Sequence, residues 1–193
     1  MSYDFYAFLS RMKHIKRWSL MRSVVEENIM EHSFMVTTIA HALALIRKEI
    51  FKKEVDIYKT ITYAQYHETG EVITGDLPTP IKYFNQKITE AYKDLEVISC
   101  EKLVKKLPEE LQGVYAEMIF PDKESIEAKI VKQADRICAL IKCMEEIKAG
   151  NSEFKKAKQT ILKDINKFDS EECKYFIENI LPSFDKTLDE IND

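Results

Sequence analysis

Residues 66–80, YHETGEVITGDLPTP, place His67, Glu68, Glu71 and Asp76 within ten positions, directly after an apolar helical run. Projected at 3.6 residues per turn, Glu68 continues the stripe of Ile57, Ile61 and Ala64, so its carboxylate faces inward. Glu71 follows one turn after both His67 and Glu68, which lets three polar side chains converge. Gly70, Gly75, Pro78 and Pro80 then break the helix into a loop able to close over them. A buried carboxylate needs a partner, and the flanking helices supply candidates.

The bulk properties narrow the class. A chain of 193 residues fits a single domain spanning 1–193, long enough to bury a substantial core. With 45% apolar and 32% charged residues, four Gly and five Pro, the composition predicts an all-α protein. A net charge of −4 argues against a protein that coats nucleic acid, which needs a basic surface to displace counterions. Cys100, Cys138, Cys143 and Cys173 form no Cys-x-x-Cys pair, and three of them lie on apolar-periodic segments, which suits reduced, buried thiols. No apolar run approaches the ~18 residues of a membrane span, and MSYDFYAFLSRMKH lacks the apolar centre of a signal peptide. The expectation is a cytoplasmic protein with no membrane partner.

Along the chain, residues 3–18 predict a helix with Phe5, Phe8, Leu9 and Met12 on one face and a basic end, Lys13 to Trp18. There a guanidinium fork, Arg17, suits a phosphate, and the one indole, Trp18, offers a flat wall to a sugar or base. On that pair alone, a core Trp beside a surface Arg is the better reading. Residues 28–51 predict a central helix, apolar around most of its circumference, with His32 amid the stripe Met35, Val36, Ile39, Leu43 and Ile46. His41 falls on the opposite side near Phe34 and Leu45, and neither it nor His14 is a site candidate.

Asp56 is placed to cap a helix over 57–69. Further helices are predicted over 82–106, from Pro108 to Phe120, and over 123–149, the last with Ile126, Ile130, Ala134, Ile137, Ile141 and Met144 on one face. Asp135 interrupts that helix beside Val131 and Cys138, whereas Arg136 points elsewhere. An unpaired buried acid costs several kcal/mol, so Asp135 must meet a cation, a metal or a set of donors. Segments 152–167 and 170–190 read as amphipathic helices packed on the outside of the bundle.

His32, the His67-Glu68 doublet and Asp135 thus appear where a plain core would not place them. Two imidazoles and two carboxylates suit a divalent cation of intermediate hardness, Mn, Co, Fe, Ni or Zn, with positions left for water and substrate. The zinc-protease pattern His-Glu-x-x-His fails, because its fifth position is Glu71. No Gly-x-Ser-x-Gly elbow or phosphate-binding Gly-rich loop is visible.

The order His32, His67-Glu68, Asp135 is similar to the H…HD…D signature of metal-dependent phosphohydrolases. The flanking text, KRWSLMR (16–22), EHS (31–33), GEVITGDLPTP (70–80), KQAD (132–135) and LPSF (181–184), resembles the bacterial HD-domain 5′-deoxynucleotidases over essentially the whole chain. One ligand position departs from the pattern, with Glu68 where the family has Asp. The resemblance implies an all-α HD-domain bundle, a homodimer, and hydrolysis of 2′-deoxyribonucleoside 5′-monophosphates at a divalent metal held by His32, His67, Glu68 and Asp135. It further implies that Glu71 and Asp76 are catalytic carboxylates and that Arg17 orients the phosphate. By the same likeness, Trp18 stands where a ribose 2′-hydroxyl would sit, and Asp76, Leu77, Pro78 and Thr79 contact the nucleoside, with His32, Glu68 and Asp135 also on the substrate side. Two alternatives remain: a related phosphohydrolase acting on a nucleoside triphosphate or cyclic nucleotide, and a metal-poor binding or scaffold protein.

Overall fold

The computed structural model describes residues 2–192, and among them helix is the only extended regular structure. Helix α1, Phe5–Leu9, tightens into a 3₁₀ turn, Ser10–His14. The chain then leaves helix altogether, and Lys16 forms an antiparallel bridge with Asn28. Asn28 and Glu31 cap each other's backbone in a capping box that opens α2, Ile29–Leu45, which runs on as a π-helical turn, Ile46–Ile50. Asp56 caps α3, Ile57–Tyr66, by accepting from the Lys59 N–H at 2.9 Å. Two one-turn helices follow, α4 (Glu71–Thr74) and α5 (Thr79–Lys82). The long α6, Gln86–Val104, and α7, Glu109–Ile119, form a hairpin. Ser125 caps α8, Ile126–Lys148, and the chain ends in α9 (Lys155–Ile165), α10 (Glu171–Asn179) and α11 (Leu188–Asn192).

The apolar faces of α2 and α8 meet at the centre, Val36, Ile39, Ala40 and Leu43 packing with Ile130, Ala134, Ile137 and Ile141, while α3, α9 and α10 complete the layer. A smaller cluster of Phe5, Cys100, Leu103, Leu107 and Ile119 joins α1, α6 and α7. All four cysteines are free and buried.

Three expectations need correction. The first helix does not reach residue 18; its regular part ends at Leu9, because the Lys16–Asn28 bridge draws residues 15–17 into an extended pairing. The third helix ends at Tyr66 rather than Thr69, with His67 to Gly70 forming a turn before α4. Finally, Ile29–Ile50 is long and apolar enough to cross a membrane, with a mean hydropathy of 1.4 over its most apolar window. Half of that window is buried in the bundle, so its hydropathy is accounted for by its place at the centre of the core.

One buried ion pair fastens a loop to the core. Glu146 on α8, 1% exposed, accepts from Lys142 Nζ at 2.6 Å, from the Val24 and Val25 N–H groups at 2.8 and 3.1 Å, and from Asn151 Nδ2 at 2.8 Å. Lys142 also donates to the Val25 carbonyl. These bonds pin Val24 and Val25 onto α8. Removing one partner leaves a buried charge uncompensated, so Glu146→Ala should lower the free energy of urea unfolding by about 3–5 kcal/mol, and the double change Lys142→Met with Glu146→Leu by less. A double variant less stable than the single one would show that the backbone bonds, not the charge, dominate.

Candidate active site

Each ligand candidate reaches the centre by its own route. His32 sits one turn into α2 and is fully buried; Asp135 lies at mid-α8; His67 and Glu68 occupy the turn after α3. That turn lies close against α6, where a Cβ on Gly70 would stand 3.2 Å from Cys100 Sγ and from the Glu96 carbonyl. The four residues each offer a ligand atom, and these atoms lie within 4.8 Å of one another.

The two imidazoles differ. His67 Nδ1 donates to the Ala64 carbonyl at 2.7 Å, which fixes the tautomer and leaves Nε2 facing the cluster. Nε2 is buried without a hydrogen-bond partner, although Glu68 Oε1 lies 3.4 Å away. A neutral nitrogen lone pair and a carboxylate oxygen at that separation repel unless a proton or a metal ion stands between them. His32 Nδ1 lies 2.8 Å from Arg17 Nη1, which can only donate, so the ring proton sits on Nε2 and is donated to Asp135 Oδ1 at 3.1 Å.

The charges respond to this crowding. Burial works to raise Glu68 and Asp135, but His67 holds Glu68 down to about 2, and the hydrogen bond from His32 keeps Asp135 well below the ordinary carboxylate range. Burial pushes His32 down, aided by Arg17. His67 is raised, since Glu68 outweighs its desolvation. Glu71 is 5% exposed, its Oε2 has no hydrogen-bond partner, and burial together with Glu68 and Asp76 raises it far above the ordinary range. Asp76 is raised by burial, with Arg17, Lys82 and the Trp18 N–H acting against it.

This cluster forms the floor of a cleft of about 1030 Å³. Glu68 and Asp135 reach the cleft surface, and His32 and His67 lie beneath it. Gly75, at φ 71°, turns the chain back so that Asp76, Leu77, Pro78 and Thr79 line one wall, with the Gly75 carbonyl held by Tyr92 Oη at 2.9 Å. Arg17 and Trp18 line another. Trp18 adopts φ 60°, a left-handed conformation that costs a bulky residue about 1–3 kcal/mol. Its ring lies 5.3 Å from that of Phe154, so Trp18 is both a packed residue and a cleft wall.

All the candidates named from the sequence therefore meet in one place, and His14 and His41 are exposed and outside it. Two sequence readings fail. Arg136 lines the cleft, and α9, expected only to cover the bundle, supplies Lys156, Ala157, Thr160 and Ile161 to its wall. With Lys82, paired with Glu96 at 3.0 Å, the cleft holds more cations than Arg17 alone, but Glu153 and Asp164 line it too. Nothing in the amphipathic pattern of α9 distinguishes a cleft-facing Lys or Thr from a solvated one.

Comparison with known proteins gives consistent matches. Residues 4–184 fit the profile of the 5′-deoxynucleotidase YfbR-like family. The chain is 48% identical over 189 residues to a 5′-deoxynucleotidase of Erwinia tasmaniensis, covering 97% of this chain and 96% of that one. It is equally 48% identical over 189 residues to the 5′-deoxynucleotidase YfbR of Escherichia coli, covering 97% and 95%. Among solved structures, an HD-domain phosphohydrolase from Listeria innocua superposes with a TM-score of 0.83 at 25% identity, covering 94% of this chain and 88% of that one. A cyanophage S-2L HD phosphohydrolase, bound to dA and one catalytic Zn²⁺ ion, superposes with a TM-score of 0.66 at 18% identity over 92% and 96%, a likeness of fold.

The raised Glu71 makes a prediction for the cation-free protein. Its folded carboxyl stays protonated while the unfolded one ionises from its ordinary value, so the stability it contributes is complete at low pH and is lost as pH rises toward the raised value. Glutamine does not titrate. Thermal unfolding in chelator should therefore show Glu71→Gln gaining on the wild type between pH 5 and pH 8, by about 4 °C or more. A gap that narrows over that range would contradict the raised carboxyl.

Proposed function

The chain belongs to the 5′-deoxynucleotidase YfbR-like family, and from that membership we propose how its site performs the family's reaction. It is a hydrolase that splits 2′-deoxyribonucleoside 5′-monophosphates into deoxynucleoside and phosphate. The observation that carries the reading is the unpartnered His67 Nε2 facing Glu68 Oε1 within a set of two nitrogens and two oxygens at the base of the cleft. Such a set fits a divalent cation, held by His32, His67, Glu68 and Asp135, with His32 then carrying its ring proton on Nδ1 and giving up the Arg17 contact. Its mixed donors favour Mn, Co, Ni, Fe or Zn over the harder Mg or Ca, and the cyanophage protein of like fold carries Zn²⁺. When bound, the cation supplies charge against the phosphate and makes a water acidic enough to attack near neutral pH.

The chain's own groups do the rest. Arg17, on the cleft wall beside the cluster, orients the phosphate and offsets its charge. Glu71 and Asp76 hold and move the protons, one at the attacking water and one at the leaving 5′-oxygen. Trp18 closes the space a 2′-hydroxyl would need, and Leu77, Pro78 and Thr79 border the nucleoside.

Two measurements test the assignment. Asp135→Ala should abolish hydrolysis and reduce bound metal by elemental analysis, with far-UV circular dichroism unchanged; full activity would remove Asp135 from the set. Glu68 concerns the departure from the HD pattern. Its longer side chain already brings Oε1 to 3.4 Å from His67 and 3.8 Å from His32, so a shorter one retreats from the cluster. Glu68→Asp should weaken cation binding or lower kcat on a deoxynucleoside monophosphate. A gain of about tenfold, or ~1.4 kcal/mol of transition-state stabilisation, would mean instead that the site had drifted from a better aspartate.

A further inference from the structure

Neither the ligand cluster nor the roles given to the cleft walls account for Glu27. This residue directly precedes Asn28, the cap of α2, and it grips Arg17 twice. Its backbone carbonyl accepts from the Arg17 N–H at 2.9 Å, and its Oε2 accepts from Arg17 Nη1 at 2.6 Å. The same Oε2 also accepts from Trp18 Nε1 at 3.0 Å. One carboxylate oxygen therefore fixes the spacing between the guanidinium and the indole. The Glu27 side chain is 16% exposed and that of Arg17 13%, so water has little access to replace either bond.

Electrostatics alone makes this residue a hindrance, because a carboxylate beside Arg17 weakens the pull on an anionic substrate. Its contribution must be geometric. Trp18 is held in a left-handed conformation that a bulky residue adopts only when its surroundings insist on it. Phe154 supports its ring from one side, and Glu27 fixes the indole N–H edge. A wall that selects by excluding a hydroxyl works only if it cannot yield.

We propose that Glu27 is a positioning residue for sugar selection: without touching substrate, it locks Arg17 and Trp18 in one register, so that the wall against the 2′-hydroxyl keeps a fixed offset from the phosphate. The inference rests on the reading of Trp18 as the sugar wall.

The test uses the metal-loaded enzyme and compares kcat/KM for dAMP with that for AMP in the wild type, Glu27→Ala, Glu27→Gln and Trp18→Ala. Glu27→Ala should cut the dAMP-to-AMP ratio by about fivefold or more, the scale of a lost hydrogen bond at a shielded site, with bound metal unchanged. Glu27→Gln should fall between, since its amide oxygen can serve one donor but carries no charge. Trp18 is the chain's one Trp, so its fluorescence reports the same event directly: Glu27→Ala should shift emission to the red and increase acrylamide quenching. A merely structural role would lower thermal stability and the rates on both sugars together while leaving the ratio as it was. If Trp18→Ala changes the ratio and both Glu27 variants do not, the positioning role is overturned and the sugar wall stands. If Trp18→Ala leaves the ratio unchanged as well, the sugar wall itself fails, and this inference with it. Should Glu27→Ala not fold, Glu27→Gln decides by the same ratio.

Discussion

Two carboxylates and two imidazoles crowded within 4.8 Å inside a helical core can coexist only if positive charge stands among them. The bundle is arranged around that requirement. Helices α2 and α8 meet along apolar faces that carry His32 and Asp135, so the same packing that makes the core brings those groups into contact. The turn after α3 delivers the doublet. Within the protein the requirement is served by His67, whose protonated form Glu68 favours, and by Arg17, whose guanidinium lies against His32.

The cleft above extends the same logic outward. Its lining sets Glu68, Glu71, Asp76, Asp135, Glu153 and Asp164 against Arg17, Lys82, Arg136 and Lys156, so the acids outnumber the bases. A divalent cation held by the cluster would offset that excess of negative charge.

Much of this was legible in the sequence, for identifiable reasons. His32 and Asp135 stand out because each breaks an apolar stripe of 3.6-residue period. Glu68 was placed inward by extending the period of α3, and this held even though the helix stops at Tyr66, because His67 and Gly70 keep near-helical angles (φ −63°, ψ −27° and φ −62°, ψ −34°). Asp56 caps α3 and Pro108 opens α7 where the local rules put them. What could not be read is what depends on distant partners. Lys142 and Glu146 look like an ordinary i,i+4 surface pair, yet the loop at 22–25 buries them. Glu27 looks like one more acid in a polar stretch, and only the Lys16–Asn28 bridge folds it back onto Arg17. The wall contributed by α9 is invisible for the same reason.

The four cysteines give the molecule a set of internal reporters. Burial raises every one of the thiols above its ordinary value, so in the folded state none presents a thiolate to solvent. Cys100 belongs to the small cluster of α1, α6 and α7, whereas Cys138, Cys143 and Cys173 belong to the main core. Alkylation of the native protein thus measures opening rather than surface chemistry. The order in which the two groups of thiols become reactive distinguishes a bundle that breathes as one body from one whose α6–α7 hairpin detaches first.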